Sequence, residues 1–105
     1  MNWVILDKKK GDILFGKCET EVRQVASLTK IMTSYCVLNL VDKLENISAY
    51  AGLGSRIKIM KPVSEVIGTT AKLQNNDTLT VEELMYGMML PSGNDAAQAL
   101  AIYFG

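Results

Sequence analysis

Val25-Ala26-Ser27-Leu28-Thr29-Lys30-Ile31-Met32-Thr33 is the stretch on which the reading of the whole chain turns. Apolar residues recur at Leu28, Ile31, Met32, Tyr35 and Leu38, the spacing of one helix face, which predicts a helix to about Leu44. Ser27 stands just ahead of that pattern, where an N-cap or first-turn residue belongs. Residues three apart on a helix lie one above the other, so Lys30 is expected to carry its amine back over Ser27. A serine hydroxyl is a weak nucleophile near neutral pH and needs a base within hydrogen-bond reach. The chain contains no histidine, which removes a Ser-His-Asp arrangement. A lysine can serve instead once burial or a helix N-terminus lowers its amine from an ordinary pKa of about 10.4.

Ser-x-x-Lys alone is a weak signal, arising by chance in roughly a third of chains of this length at average residue usage. Ser55-Arg56-Ile57-Lys58 matches it too, but there the following Ile57-Lys58-Ile59 alternates like a strand. Positions three apart on a strand face opposite sides, so Ser55 and Lys58 are expected to point apart. Taken by itself, Ser27 with Lys30 reads equally as a capping serine followed by a surface lysine.

Composition narrows the field. The 105 residues amount to at most one ordinary domain. Eleven basic residues balance eleven acidic ones, so neither a nucleic-acid partner nor an anionic membrane surface is expected. The longest apolar candidate, Ile31 to Val41, is too short and too polar to span a bilayer, and Met1-Asn2-Trp3 does not open a secretory signal. Cys18 and Cys36 fit neither a disulfide framework nor a metal site; both read as free thiols, with Cys36 buried on the first helix. No metal or cofactor is expected.

In chain order, Trp3-Val4-Ile5-Leu6 and Ile13-Leu14-Phe15 read as a β-hairpin around a charged turn containing Lys8, Lys9 and Lys10. The Ser27 helix follows; apolar on much of its circumference, it is expected to be central and buried. Residues 45–77 are punctuated by glycine and serine, with extended pieces expected at Ile57-Ile59 and Ala71-Leu73 and a turn at Asn75-Asn76-Asp77. Pro62 limits any helix through it. Thr80-Val81-Glu82-Glu83 offers a capping box, and Val81, Leu84, Met85 and Met88 make a helical stripe whose methionines read as core filler. Pro91 ends that helix, and another starts near Asn94-Asp95.

Between these last two helices lies Pro91-Ser92-Gly93-Asn94-Asp95. Alone, it is a tight turn that Asp95 is able to cap. Ser-x-x-Lys opening a helix, followed about sixty residues later by Ser-x-Asn between helices, is the pairing found in penicillin-binding proteins and class A β-lactamases. The wording is closer still in Ala26-Ser27-Leu28-Thr29-Lys30-Ile31-Met32-Thr33, in Leu79-Thr80-Val81-Glu82-Glu83-Leu84, and in Tyr86-Gly87-Met88-Met89-Leu90-Pro91-Ser92-Gly93-Asn94-Asp95-Ala96-Ala97. These resemble the serine D-alanyl-D-alanine carboxypeptidases, the low-molecular-mass penicillin-binding proteins. The opening hairpin and the Gly68-to-Asp77 segment resemble that family as well, so the similarity covers essentially the whole chain.

The resemblance implies an acyl-enzyme peptidase that removes the terminal D-alanine from D-Ala-D-Ala peptides of peptidoglycan and takes β-lactams, in an extracytoplasmic, cell-envelope setting. It implies Ser27 as nucleophile, Lys30 as base, Ser92 as proton relay to the leaving amine, and Asn94 as the residue holding substrate and Lys30. The Ser27 backbone N–H becomes one of two oxyanion donors. Ser-Gly-Asn favours a carboxypeptidase over a serine β-lactamase-like hydrolase. The family's third motif, Lys-Thr-Gly on a later strand, has no counterpart after Asn94, and Lys9-Lys10-Gly11 lies too early to replace it. Val25 and Asn76 also depart from the usual proline and glycine.

The expected fold is therefore α/β: an N-terminal β-hairpin of an incomplete antiparallel sheet plus a helical lobe, β-lactamase/transpeptidase-like and truncated. Residues 1–105 are expected to be the N-terminal part of a catalytic domain, with little activity alone and a tendency to associate through the open sheet edge. The rival reading is a non-catalytic remnant or partner-binding fragment of the same ancestry.

Overall fold

The computed structural model describes residues 1–45, 47 and 52–105. The chain opens with an antiparallel hairpin, β1 (Trp3–Leu6) against β2 (Ile13–Lys17). Ile5 faces Phe15 and Leu6 faces Ile13, so Leu14 is an extra residue and the pairing is bulged there. The Asp7 carboxylate accepts from the Lys9 and Lys10 N–H groups at 2.8 and 2.9 Å, which folds the lysine-rich turn. Every residue of both strands is exposed.

A 3₁₀ turn at Ala26–Leu28 runs directly into α1 (Thr29–Glu45). The chain then forms β3 (Arg56–Lys58), a single turn α2 (Lys61–Ser64), β4 (Thr78–Thr80), α3 (Val81–Met89) and α4 (Asn94–Phe104). Pro62 is tolerated in α2 because the first helical turn needs no donor there. β3 and β4 pair antiparallel with Ile57 opposite Leu79, forming a second, separate two-stranded sheet. Ile57 and Ile59 turn inward and Lys58 outward, which places Ser55 and Lys58 on opposite sides of the strand.

The core lies where α3 and α4 meet the second sheet and one edge of α1. Val81, Leu84, Met88, Ala96 and Leu100 are fully buried there. The capping box starts α3: Thr80 Oγ accepts from Glu83 N, and the Glu83 carboxylate accepts from Thr80 N at 2.8 Å. Donation to that carboxylate, from the Thr80 N–H first and from the Thr80 hydroxyl second at 3.1 Å, holds the Glu83 carboxyl below its ordinary range. Leu90, ahead of Pro91, closes the helix by donating to Tyr86 O.

Three expectations need correction. The apolar stripe Leu28, Ile31, Met32, Tyr35 and Leu38 faces outward, and Lys30, Val37 and Val41 face the core. With Lys30 committed to the turn before α4, the helix can present only the face that carries it. The same rotation leaves Cys36 exposed. Ala71–Leu73 is not extended: Lys72 has φ +61, and this segment bonds a buried carboxylate instead of a strand. β4, unforeseen, forms because Leu79 has the Ile57 strand as neighbour.

Candidate functional site

The 3₁₀ turn places Ser27 ahead of α1. Ala26 holds φ +45, a left-handed conformation uncommon for alanine, and Leu28 N donates to Val25 O at 3.0 Å to close the turn. The tight turn leaves the Ser27 hydroxyl exposed at the helix start, where backbone N–H groups lack intrahelical partners. Lys30, in the first turn of α1, is 9% exposed.

The opposite wall is the turn between α3 and α4. Ser92 also sits in the left-handed region, at φ +57. Gly93 is required there by space rather than by its φ. A Cβ would lie 2.6 Å from Gly87 O and 2.8 Å from both Ala71 N and Asp95 Oδ1. Gly93 N donates to Gly87 O at 3.1 Å, and Asn94 N donates to Thr69 O at 2.7 Å.

The two walls join in one hydrogen-bonded chain. Ser92 Oγ donates to Ser27 Oγ at 2.7 Å. Lys30 Nζ donates to Ser92 Oγ at 3.0 Å, to Ser92 O at 2.6 Å and to Asn94 Oδ1 at 2.7 Å. These three acceptors match the three donors of an ammonium, and all are neutral groups. Asn94 Nδ2 donates to Ile67 O at 3.1 Å, which fixes the amide so that its oxygen faces Lys30. Among the described residues no direct bond joins Ser27 to Lys30; the expected contact is made through Ser92. An open cleft of about 370 Å³ fronts the group, with Val25, Leu28, Ile31 and Met89 among its walls.

Two contributors were missed from sequence. Asp95, read as a helix cap, is 2% exposed, and the cap position falls to Gly93 without a side-chain bond. Its carboxylate accepts from Ala71 N, Leu73 N, Thr70 Oγ and Ala96 N at 2.6–3.1 Å. Thr69 Oγ donates to Ser92 O at 2.5 Å. Neither was visible in the sequence, because the partners, Ala96 apart, lie more than twenty positions away. No group of three or more metal-ligating side chains occurs among the described residues.

A profile of the D-alanyl-D-alanine carboxypeptidase family matches residues 1–105. The chain is 34% identical over 103 residues to D-alanyl-D-alanine carboxypeptidase DacD of Escherichia coli, covering 97% of this chain and 26% of that protein. It is 36% identical over 99 residues to the D-alanyl-D-alanine carboxypeptidase of Streptomyces sp. K15, covering 90% of this chain and 31% of that one. Among solved structures, it is similar to the carboxypeptidase DacD from Francisella tularensis, with TM-score 0.83, 35% identity, and 99% of this chain and 24% of that one covered. An S96A mutant of the Streptomyces K15 DD-transpeptidase gives TM-score 0.86 at 32% identity, covering 99% and 38%. The chain thus spans about a quarter to a third of the curated relatives' length.

Proposed function

The chain belongs to the D-alanyl-D-alanine carboxypeptidase family, and from that premise we propose that residues 1–105 carry the nucleophile side of a serine acyl-transfer site acting on D-Ala-D-Ala peptides. The observation that supports this reading is the chain of contacts Ser27–Ser92–Lys30–Asn94, which unites two motifs more than sixty residues apart.

In the proposed reaction Ser27 Oγ bonds to the carbonyl carbon of the penultimate D-alanine. Once the Lys30 ammonium has given up one proton to solvent and the Ser27 and Ser92 hydroxyls have turned to donate toward it, the Ser27 proton passes to Ser92 Oγ and the Ser92 proton passes to Lys30 Nζ. The C–N bond to the terminal D-alanine then breaks, and the same path returned delivers a proton to the departing amine. Water afterwards releases the acyl group from Ser27. The Ser27 N–H, at the start of a helix, is suited to stabilise the developing oxyanion. Asn94 holds the lysine amine and is the substrate-binding residue of the proposal. In a β-lactam the broken C–N bond lies within a ring, so the ligand stays attached to Ser27.

Gly93 supports a carboxypeptidase over a class A β-lactamase reading, since any side chain at that position collides with Gly87 O and Ala71 N. Residues 1–105 form the N-terminal part of the catalytic domain in this proposal, and no Lys-Thr-Gly triplet follows Asn94 within them. Action on peptidoglycan peptides carries with it an extracytoplasmic setting. Among the described residues no helix is long and apolar enough to cross a membrane.

The test is release of D-alanine from a peptide ending in D-Ala-D-Ala by the full-length product of the reading frame. Ser27→Ala is expected to reduce release to background, and Ser92→Ala to slow it by about a hundredfold or more. Undiminished release by Ser27→Ala overturns the assignment.

A further inference from the structure

Thr69 stands outside both sequence motifs, on the segment that crosses over the α3–α4 turn. It touches that turn twice. Its backbone oxygen accepts from Asn94 N at 2.7 Å, and its hydroxyl donates to Ser92 O at 2.5 Å. The Ser92 carbonyl is also the closest acceptor of the Lys30 amine, at 2.6 Å. A carbonyl oxygen has two lone pairs, so Lys30 and Thr69 together fill it. Both donors prefer the carbonyl plane, so the pair resists rotation of the Ser92 peptide. Ser92 needs such restraint. Its φ of +57 is unfavourable for a residue with a side chain, and rotating it swings its Oγ off the line between Ser27 and Lys30.

We propose that Thr69 is a positioning residue for the acyl-transfer site: its hydroxyl clamps the Ser92 carbonyl and so keeps the Ser92 hydroxyl bridging Ser27 and Lys30. This rests on the acyl-transfer reading above. The hydroxyl is exposed and supports no core packing. The backbone bond from Asn94 is independent of the side chain, so Thr69→Val removes the clamp while keeping shape and the main-chain contact. Thr69→Ser keeps the clamp and loses only a methyl group.

The experiment measures acylation of the full-length product by a fluorescent penicillin as a function of penicillin concentration, with amide hydrogen exchange followed in parallel. Thr69→Val is expected to lower the limiting acylation rate about five- to tenfold, the effect of one net hydrogen bond, with the half-saturating concentration unchanged. Thr69→Ser is expected to retain the wild-type rate. The Gly93 amide, part of the clamped Ser92 peptide, is expected to exchange faster in Thr69→Val and normally in Thr69→Ser, while the Asn94 amide, held by the Thr69 backbone oxygen, exchanges normally in both. An unchanged limiting rate in Thr69→Val, a serine variant as slow as the valine one, or unaltered Gly93 exchange each overturns the proposal. A wild-type protein that takes no penicillin label defeats the acyl-transfer reading instead, and the exchange comparison then decides the clamp by itself.

Discussion

Asp95 is buried without an ion-pair partner among the described residues. Burial pushes its carboxyl up, but the donors Ala71 N, Thr70 Oγ, Leu73 N and Ala96 N together outweigh it and hold the group below its ordinary value of 3.8. A carboxyl depressed by folding stabilises the folded chain above its unfolded value, and that contribution fades as pH falls through the folded value. Asp95 therefore ties the 70–73 segment to the start of α4 at neutral pH and loosens it in acid. Asp95→Asn should lower the urea midpoint at pH 7, and the gap from wild type should narrow once pH falls below about 4. An equal gap at pH 7 and pH 3 would show that the charge is not what matters. The same carboxylate illustrates what sequence could not supply. Ser27, Lys30, Ser92 and Asn94 stand in recognisable motifs, whereas Asp95 and Thr69 gain their roles from contacts across the fold.

At the scale of elements, the parts governed by local chemistry were legible: the hairpin, the Thr80–Glu83 capping box, the end of α3 before Pro91 and the start of α4. Helix α1 was legible as a helix but not in its rotation. Two faces carry apolar residues, and the tether of Lys30 to Ser92 and Asn94 selects the less apolar one, with Val37 and Val41 inward. Ser34, on that same face, has its hydroxyl buried without a hydrogen bond. In the 105-residue chain, Val37→Ala should cost about 2 kcal/mol in denaturant unfolding, as a large-to-small core change does. Met32→Ala, on the outward stripe, should stay within about 0.5 kcal/mol. The reverse ranking would contradict this orientation. The Ala71–Leu73 segment misled because its alternation is that of a strand, while its N–H groups serve Asp95.

The whole molecule is open and flat, 46 × 35 × 19 Å, with a radius of gyration of 16.1 Å against about 13 Å for a compact chain of this length. Its accessible surface of 7902 Å² exceeds the roughly 5,800 Å² usual for a folded monomer of this mass. The hairpin, with Trp3, Ile5 and Phe15 exposed, and the outward stripe of α1 contribute to that excess. The site does not depend on the hairpin: Ser27 and Lys30 meet Ser92 and Asn94 through the packing of α1 against α3 and α4. In the proposed reaction this packing makes Ser27 a nucleophile. Mass spectrometry of the full-length product after brief exposure to benzylpenicillin, with peptide mapping of the adduct, measures this. One added penicillin is expected, carried by the peptide containing Ser27 and lost in Ser27→Ala; an adduct on any other residue, or none at all, rules out Ser27 as the nucleophile.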